Sequence, residues 1–355
     1  MAKDKKNVVH ICSFDKFIKG FVEFNELNCN SFDHEYFIIG YHEKYLLPEF
    51  GDFKVMPRAY TEKIGYLCRL FRRMMFADKV IVHGLFDNKL ILFLVANYTC
   101  LSKVYWVMWG ADLYVKEEKC FKEKIVSKLR RVICSRLGGV VTYIRGDYQY
   151  AQQRWGVVGR YCDCIMYPSN IYVEPEEERV QSNSDENGSS INILVGHSAD
   201  PSNNHKCIFD MLADSGVDNM RIYAPLSYGN EMYRDDVVQY GKELFGDDFR
   251  PLTKFLPLKD YLALLADIDI AIFDHKRQQA MGNTINLIGL GKTVYMRTNV
   301  TQWQLFNELG VAVLDLERFE GQLLTQEQRR KNNQIIKKYF SVENYKNQLN
   351  KLYAT

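Results

Sequence analysis

Ten short runs of β-branched and aromatic residues recur along this chain, each followed by a stretch with helical spacing, and this alternation constrains the fold more than any other feature. The first five are VVHIC (8–12), YFIIG (36–40), VIVHG (80–84), VYWVMWG (104–110) and GVVTYI (139–144). Strands apolar on both sides and separated by helices predict a parallel sheet covered on both faces. The pattern restarts with INILVG (191–196), MRIYAP (220–225), DIAIFD (269–274), TVYMR (293–297) and VAVLD (311–315). Between the two sets lies EPEEERVQSNSDENGSS (174–190), polar and without apolar periodicity, which reads as a linker. The expectation is α/β architecture: two Rossmann-like, doubly wound domains, 1–173 and 191–335, facing a central cleft. The segment 326–353 reads as helical, with Ile335, Ile336, Tyr339, Phe340, Tyr345, Leu349 and Leu352 on its apolar side. Its end, 336–355, is expected to pack back on the first domain.

Length and composition agree with two domains: 355 residues, 47% hydrophobic and 25% charged, belong to an ordinary folded chain rather than a disordered or fibrous one. The longest apolar stretch, 90–96, falls far short of the roughly 20 residues of a membrane-spanning helix, and MAKDKKNVVH has no signal-peptide core. The nine cysteines are scattered through apolar segments, as reduced thiols are in a cytosolic protein, and no second pair or histidine completes a zinc site around Cys162 and Cys164. No metal and no cofactor are expected.

Charge divides unevenly. Residues 1–170 carry 26 Lys and Arg against 18 Asp and Glu, whereas the remainder is net acidic. A basic first half suggests an anionic partner, phospholipid or nucleic acid. Two basic amphipathic segments, YLCRLFRRMMFA (66–77) and KCFKEKIVSKLRRVICSR (119–136), favour an anionic membrane surface, with Arg69, Arg72, Arg73, Lys128, Arg130 and Arg131 facing it. The competing reading of each is a core-packing helix with a solvated face. No nucleic-acid motif accompanies the charge, so nucleic acid is not expected as a partner.

Familiar phosphate motifs fail on inspection. GLGKT (289–293) has Asn286 where a P-loop needs its first glycine, and no G-x-G-x-x-G follows the first strand of either half. Asp267-Ile-Asp269 has the D-x-D form that can hold a nucleotide diphosphate through a cation, but it precedes a strand, where a turn or cap is the better account.

Two loops are better candidates. ILVGHSADPSNNH (193–205) leaves a buried strand at Gly196 and leads into a helix expected to begin near Ser202, which would aim backbone N–H groups at a pyrophosphate. An ordinary capped βα loop would use the same Asp200 and Ser202. KRQQAMGNT (276–284) follows a strand at its C-terminal end, the ligand edge of open α/β sheets. There Arg277 can neutralise phosphate, and Gln278 and Gln279 can bond sugar hydroxyls beside a helix starting near Gly282. In the first half, Asp15, Asp112 and Asp147 all follow strands. They are candidates for a base that deprotonates an acceptor hydroxyl, with helix N-caps as the competing reading. His10 and His83 read as hydrogen-bonding core or loop residues.

WGADLY (109–114), the Arg145-Gly146-Asp147 turn, the 193–205 loop, PLSYGNEMY (225–233), the Arg277-Gln278-Gln279 turn with Gly282, and Asn299 with Trp303-Gln304 occur in an order that resembles glycosyltransferase family 56. This is the family of the enterobacterial common antigen 4-acetamido-4,6-dideoxygalactose transferase. The resemblance implies a metal-independent enzyme of GT-B architecture, peripheral to the cytoplasmic face of the bacterial inner membrane. It would move a deoxyamino sugar from a dTDP-sugar donor to an undecaprenyl-diphosphate-linked saccharide. His197 stands where the family pattern has Asn, Ala280 where it has Gly and Asn283 where it has Thr, so the sugar is the least constrained part of this reading.

The expected donor site comprises Gly196, His197, Ser198, Asp200, Ser202, Asn203, Tyr228, Asn230, Glu231, Gln278, Gln279 and Gly282, with Arg277 compensating the leaving group. Asp15 is the first candidate base and Asp112 the second. Three other classes remain open to the sequence: a nucleotide-sugar epimerase of the same architecture, a non-catalytic membrane-associated nucleotide-binding protein, and a nucleic-acid binder.

Overall fold

The computed structural model describes residues 5–15, 17–41, 47–115, 120–174 and 190–355. The expected linker, apart from its end residues Glu174 and Ser190, lies outside the described residues, as does Lys119. Two compact units are present: Met1–Ile171 with Val342–Thr355, and Tyr172–Ser341.

The first unit holds a sheet of seven strands: β1 (Lys6–Phe14), β2 (Phe32–Tyr41), β3 (Asp52–Val55), β4 (Lys79–His83), β5 (Val104–Val107), β6 (Gly139–Val141) and β7 (Arg160–Cys162). All pairings are parallel, in the order β3-β2-β1-β4-β5-β6-β7. The order reverses between β1 and β4, which opens the crevice where doubly wound sheets take ligands. The helices are α1 (Ile18–Asn28), α2 (Tyr60–Phe76), α3 (Asn88–Ala96), α4 (Phe121–Cys134), α5 (Arg145–Trp155) and, from the far end of the chain, α12 (Val342–Ala354). Tyr66, Leu70 and Met74 of α2 and Ile133 and Cys134 of α4 pack with Val9, Val82 and Trp106 of the sheet in one core, so α2 and α4 cover the same face.

The second unit has six parallel strands: β8 (Ile191–Val195), β9 (Met220–Pro225), β10 (Phe249–Leu252), β11 (Ile270–Phe273), β12 (Thr293–Met296) and β13 (Leu314–Asp315). Their order is β10-β9-β8-β11-β12-β13, again reversing at the centre, between β8 and β11. Around it stand α6 (His205–Asp214), α7 (Glu231–Phe245), α8 (Leu258–Ala266), α9 (Met281–Gly289), α10 (Thr301–Leu309) and α11 (Gln326–Tyr339).

The C-terminal segment is two helices rather than one. Phe340 leaves helical geometry, with φ −93° and ψ 38°, and α12 starts at Val342 in the other unit. Within the first unit α12 buries Tyr345, Leu349, Leu352 and Tyr353, while its Gln348 accepts a hydrogen bond from the Ile165 N–H at 2.9 Å.

Candidate active site

In the second unit the loops after β8 and β11 meet at the C-terminal edge of the sheet. Gly196 turns the chain with φ +67°, a conformation side chains resist, and an added Cβ would lie 2.6 Å from His205 Nε2 and 2.9 Å from Asn203 Oδ1. The loop then wraps around Asn203, which is fully buried. Its amide nitrogen donates to the carbonyls of Ser198 and Asp200 at 3.1 and 2.9 Å, which fixes the amide's orientation. Its oxygen therefore accepts from the His197 backbone N–H at 3.0 Å, and from His197 Nδ1 and His275 Nε2, each at 2.9 Å.

A polar ring joins the two loops. Asp200 accepts from the Ser202 N–H at 2.9 Å and hydroxyl at 2.6 Å. With the Gln279 amide turned so that both of its ends are satisfied, its oxygen accepts from Arg277 Nε and Nη2 at 3.2 and 2.9 Å, and its nitrogen donates to the Ser202 hydroxyl oxygen at 3.1 Å. Burial pushes the Asp200 carboxyl up, but the Ser202 donors and the charges of Arg277 and His197 outweigh it and hold its pKa below the ordinary value. Burial also keeps His205 and His275 neutral, lowering His205 to about 3.

The other expected donor residues fall nearby. A parallel bridge between Ala199 and Gly229 brings the 226–230 loop alongside, and the Tyr228 ring lies 6.3 Å from His197. Asn230 caps α7 through the Tyr233 N–H at 2.9 Å, while Glu231 is exposed beside Arg234. Gly282 lies in the first turn of α9, where its carbonyl accepts from Asn286, and Gln278 is half-buried. The helix expected near Ser202 starts at His205 instead. A short 3-10 turn, Pro201–Asn203, and a left-handed Asn204 intervene, and Tyr233 OH takes the His205 N–H at 3.3 Å. The 193–205 loop therefore offers a cradle of side chains, not an open helix end.

Several neighbours escaped the sequence reading. His275 was detectable from its place in the loop just after a buried strand. Asp274, which pairs with Arg297 and accepts from Asn204 at 2.9 Å, stood in the same place. Buried Gln302 of α10, whose amide donates to the Gln279 carbonyl at 2.5 Å, has no local signal at all. The D-x-D pair lies at the opposite end of the sheet: Asp269 accepts the Asn192 N–H at 2.9 Å, and the Asp267 carbonyl accepts from Asn192 Nδ2 at 2.8 Å. Among the described residues no group of three or more His, Cys, Asp or Glu is arranged to hold a metal ion.

In the first unit Asp15 follows β1, and its carboxylate accepts the Phe17 N–H at 2.9 Å. Asp112 does not fit the role of an accessible base. It is 1% exposed and accepts from Leu85 N–H at 3.0 Å, Trp106 Nε1 at 2.6 Å and Trp109 N–H at 2.9 Å, clamping the loops after β4 and β5. Arg130 completes that clamp by donating to the Asp112 and Leu85 carbonyls at 3.0 and 2.6 Å. The expectation that Arg130 faces a membrane is thus corrected: it is 5% exposed and points inward, because buried carbonyls and a buried carboxylate need a cation. Arg73 is half-buried against Glu35 at 2.6 Å, while Arg69, Arg72, Lys128 and Arg131 are exposed. Asp147 is buried, accepting from Tyr114 OH at 2.7 Å.

Residues 33–355 match the family model described as 4-alpha-L-fucosyltransferase, glycosyl transferase group 56. The chain belongs to glycosyltransferase family 56. This family 56 chain has the GT-B fold, as its resemblance to solved structures shows. Sucrose-phosphate synthase (tll1590) from Thermosynechococcus elongatus is 9% identical with a TM-score of 0.68, covering 99% of this chain and 98% of its own. Anabaena Alr3699/HepE in complex with UDP is 11% identical with a TM-score of 0.68, covering 98% and 99%. A putative UDP-N-acetylglucosamine 2-epimerase from Listeria monocytogenes is 14% identical with a TM-score of 0.51, covering 99% and 91%. The fold is shared across these activities, so family membership, not architecture, decides among the classes the sequence left open: the protein is a glycosyltransferase.

Proposed function

We propose that this family 56 enzyme transfers 4-acetamido-4,6-dideoxygalactose, or a similar deoxyamino sugar, from a dTDP donor to an undecaprenyl-diphosphate-linked saccharide. The donor diphosphate binds at the Gly196 turn, with Ser198, Ser202 and Arg277 around it, and Tyr228 and Asn230 flank the nucleoside or sugar. The observation that carries this reading is the hydrogen-bonded run Asp200–Ser202–Gln279–Arg277, which fixes a guanidinium beside the strand-end loop where a leaving diphosphate needs positive charge. The UDP held by the HepE structure, a protein of the same fold, supports a nucleotide in this role. Asp15 at the end of β1 is the base for the acceptor hydroxyl.

The acceptor's lipid places the enzyme on the cytoplasmic face of the inner membrane. Outer stripes on α2 (Tyr60, Ile64, Phe71 and Met75) and α4 (Phe121, Ile125 and Val132) support docking: these apolar side chains are exposed among Arg69, Arg72, Lys128 and Arg131. Among the described residues no helix is long and apolar enough to cross a membrane.

A thermal-shift panel of dTDP, UDP, GDP and CMP tests the donor, because a ligand bound only by the folded state raises Tm. dTDP should give the largest rise, and Arg277→Ala should abolish it. A preference for CMP, or a full dTDP response in Arg277→Ala, overturns the reading.

A further inference from the structure

At the C-terminal edge of the first sheet, three loops bring aromatic rings to the point where the strand order reverses. Phe17 follows β1, Phe86 follows β4 and Trp109 follows β5. The Trp109 ring meets Phe17 with centroids 5.4 Å apart and planes at 70°, and Phe86 at 5.9 Å and 86°. Buried Tyr167 joins them, 5.0 Å from Trp109 and 6.1 Å from Phe17, and its hydroxyl lies 2.7 Å from His83 Nδ1. Phe86 is 50% exposed, and among the described residues no ring lies flat on it.

This exposed ring is held in place. Gly84, at φ +87°, lets it fold back over the end of β4: an added Cβ would lie 2.4 Å from Phe86 Cε2 and 3.5 Å from Trp109 Cδ1. One buried carboxylate also pins both loops. Asp112 accepts the N–H of Leu85, directly before Phe86, and the N–H of Trp109, at 3.0 and 2.9 Å. Arg130 adds donors to the Leu85 and Asp112 carbonyls at 2.6 and 3.0 Å. Buried charges are costly, and apolar packing would close these loops with less desolvation; what the clamp adds is a fixed spacing between Phe86 and Trp109.

We propose that Phe17, Phe86 and Trp109 form an acceptor subsite, in which one pyranose ring of the saccharide packs a C–H face against these side chains. A pyranose is amphipathic. Its hydroxyls project from the rim, while its faces present C–H groups that suit the electron-rich face of an aromatic ring. Ligand sites combine such aromatic walls with a few placed polar groups. Asp15 supplies one here, because its carboxylate accepts the Phe17 N–H at 2.9 Å and so belongs to the same turn as one of the rings.

That carboxylate also decides between the sugar and the hydrocarbon chain of the acceptor as occupant. Hydroxyls donate to a carboxylate, whereas a hydrocarbon strips away its water and returns no hydrogen bond. Rings fixed in advance lose little freedom when the sugar arrives, so they strengthen acceptor binding at small entropic cost. Their contacts involve no reacting atom and are the same before and during transfer, which places the effect in the acceptor KM rather than in kcat.

The subsite rests on the proposed transfer to a saccharide acceptor at the first unit, and a binding test without donor separates the two. Saturation-transfer NMR of the full chain with the methyl glycosides of glucose, galactose, mannose and N-acetylglucosamine, irradiating aromatic protons, should mark the ring C–H protons of at least one glycoside. The contact should disappear in Phe86→Ala and persist in Phe86→Tyr. Phe86 is half exposed, so both variants should keep the parental melting temperature. No glycoside contact in the parent, or one that Phe86→Ala leaves intact, overturns the subsite. Farnesyl diphosphate, a lipid diphosphate without sugar, is the control: if its contact alone disappears in Phe86→Ala, the rings are a lipid groove and the subsite is wrong. In turnover of dTDP-4-acetamido-4,6-dideoxygalactose with a saccharide carried on undecaprenyl diphosphate, Phe86→Ala should raise the acceptor KM about tenfold, leave kcat and the donor KM unchanged, and be rescued by Phe86→Tyr. A raised donor KM, or a fall in kcat alone, removes the rings from acceptor binding. If the parent does not turn over these substrates, the proposed reaction falls and the glycoside contacts alone decide the subsite.

Discussion

The oxygen of the Gln279 amide accepts two hydrogen bonds from the Arg277 guanidinium, from Nε at 3.2 Å and Nη2 at 2.9 Å. A neutral amide in this place orients the cation without cancelling its charge, as a carboxylate would. Gln279→Leu should therefore keep the charge and lose the aim, weakening dTDP binding about tenfold, in line with the loss of a hydrogen bond to a charged group. Gln279→Glu should weaken it further by neutralising Arg277. Titration of the purified variants with dTDP checks the order; a Gln279→Glu variant that binds as well as the parent would show that Arg277 is not a diphosphate ligand.

Ala280 occupies a left-handed conformation, φ 55° and ψ 24°, directly before α9. A Cβ in this region costs about 1–2 kcal/mol, which a glycine would avoid. Glycine also loses more freedom on folding, about 0.4–1 kcal/mol, so Ala280→Gly should gain roughly 0.5 kcal/mol net. Urea denaturation measures the shift, and a loss of stability would mean that the Ala280 methyl packs more usefully than its backbone suggests.

Most of the fold was legible because central strands are uniform. β4, β5, β11 and β12 are buried at every position, so their apolar runs stand out in the sequence. The strands that escaped, β3, β7 and β10, all lie at sheet edges, where one neighbour suffices and polar residues are tolerated. Pro251 sits in β10, as an edge strand allows. The donor loops were legible from their position after strands, yet the hub at Asn203 and the clamp by Gln302 were not, since a buried amide looks like any loop amide until its partners are in place. The same holds for Asp112 and Arg130. Their charges suggested catalysis and lipid, whereas both are committed to closing the loops after β4 and β5.

That commitment is measurable. Arg130→Met removes the donors to two buried carbonyls and the cation that favours the charged form of the Asp112 carboxyl, which should cost about 3 kcal/mol. Sedimentation with anionic vesicles should be unchanged for any Arg130→Met protein that remains folded. Lys128→Glu with Arg131→Glu, both on the outside of α4, should do the opposite: stability within about 0.5 kcal/mol of the parent and weaker vesicle binding. An Arg130→Met variant with parental stability and lost vesicle binding would return Arg130 to the surface role the sequence suggested.

Burial keeps His10, His34, His83, His205 and His275 neutral in the folded chain, each with its pKa below that of a free imidazole. The unfolded chain takes up protons near pH 6.5 while the folded chain does not, so the unfolded state binds more protons and stability falls as pH falls. The contribution is intact above about pH 6.5. It is lost progressively below that, down to about 4 for His34 and about 3 for His83 and His205. Between pH 7.5 and 5.5, above the range where ordinary carboxylates titrate, each such histidine should cost about 1.4 kcal/mol. Urea denaturation at the two pH values should show this drop in the parent, and a drop smaller by about 1 kcal/mol in His34→Gln. Equal drops in both proteins would mean that His34 is already protonated in the folded state at pH 5.5.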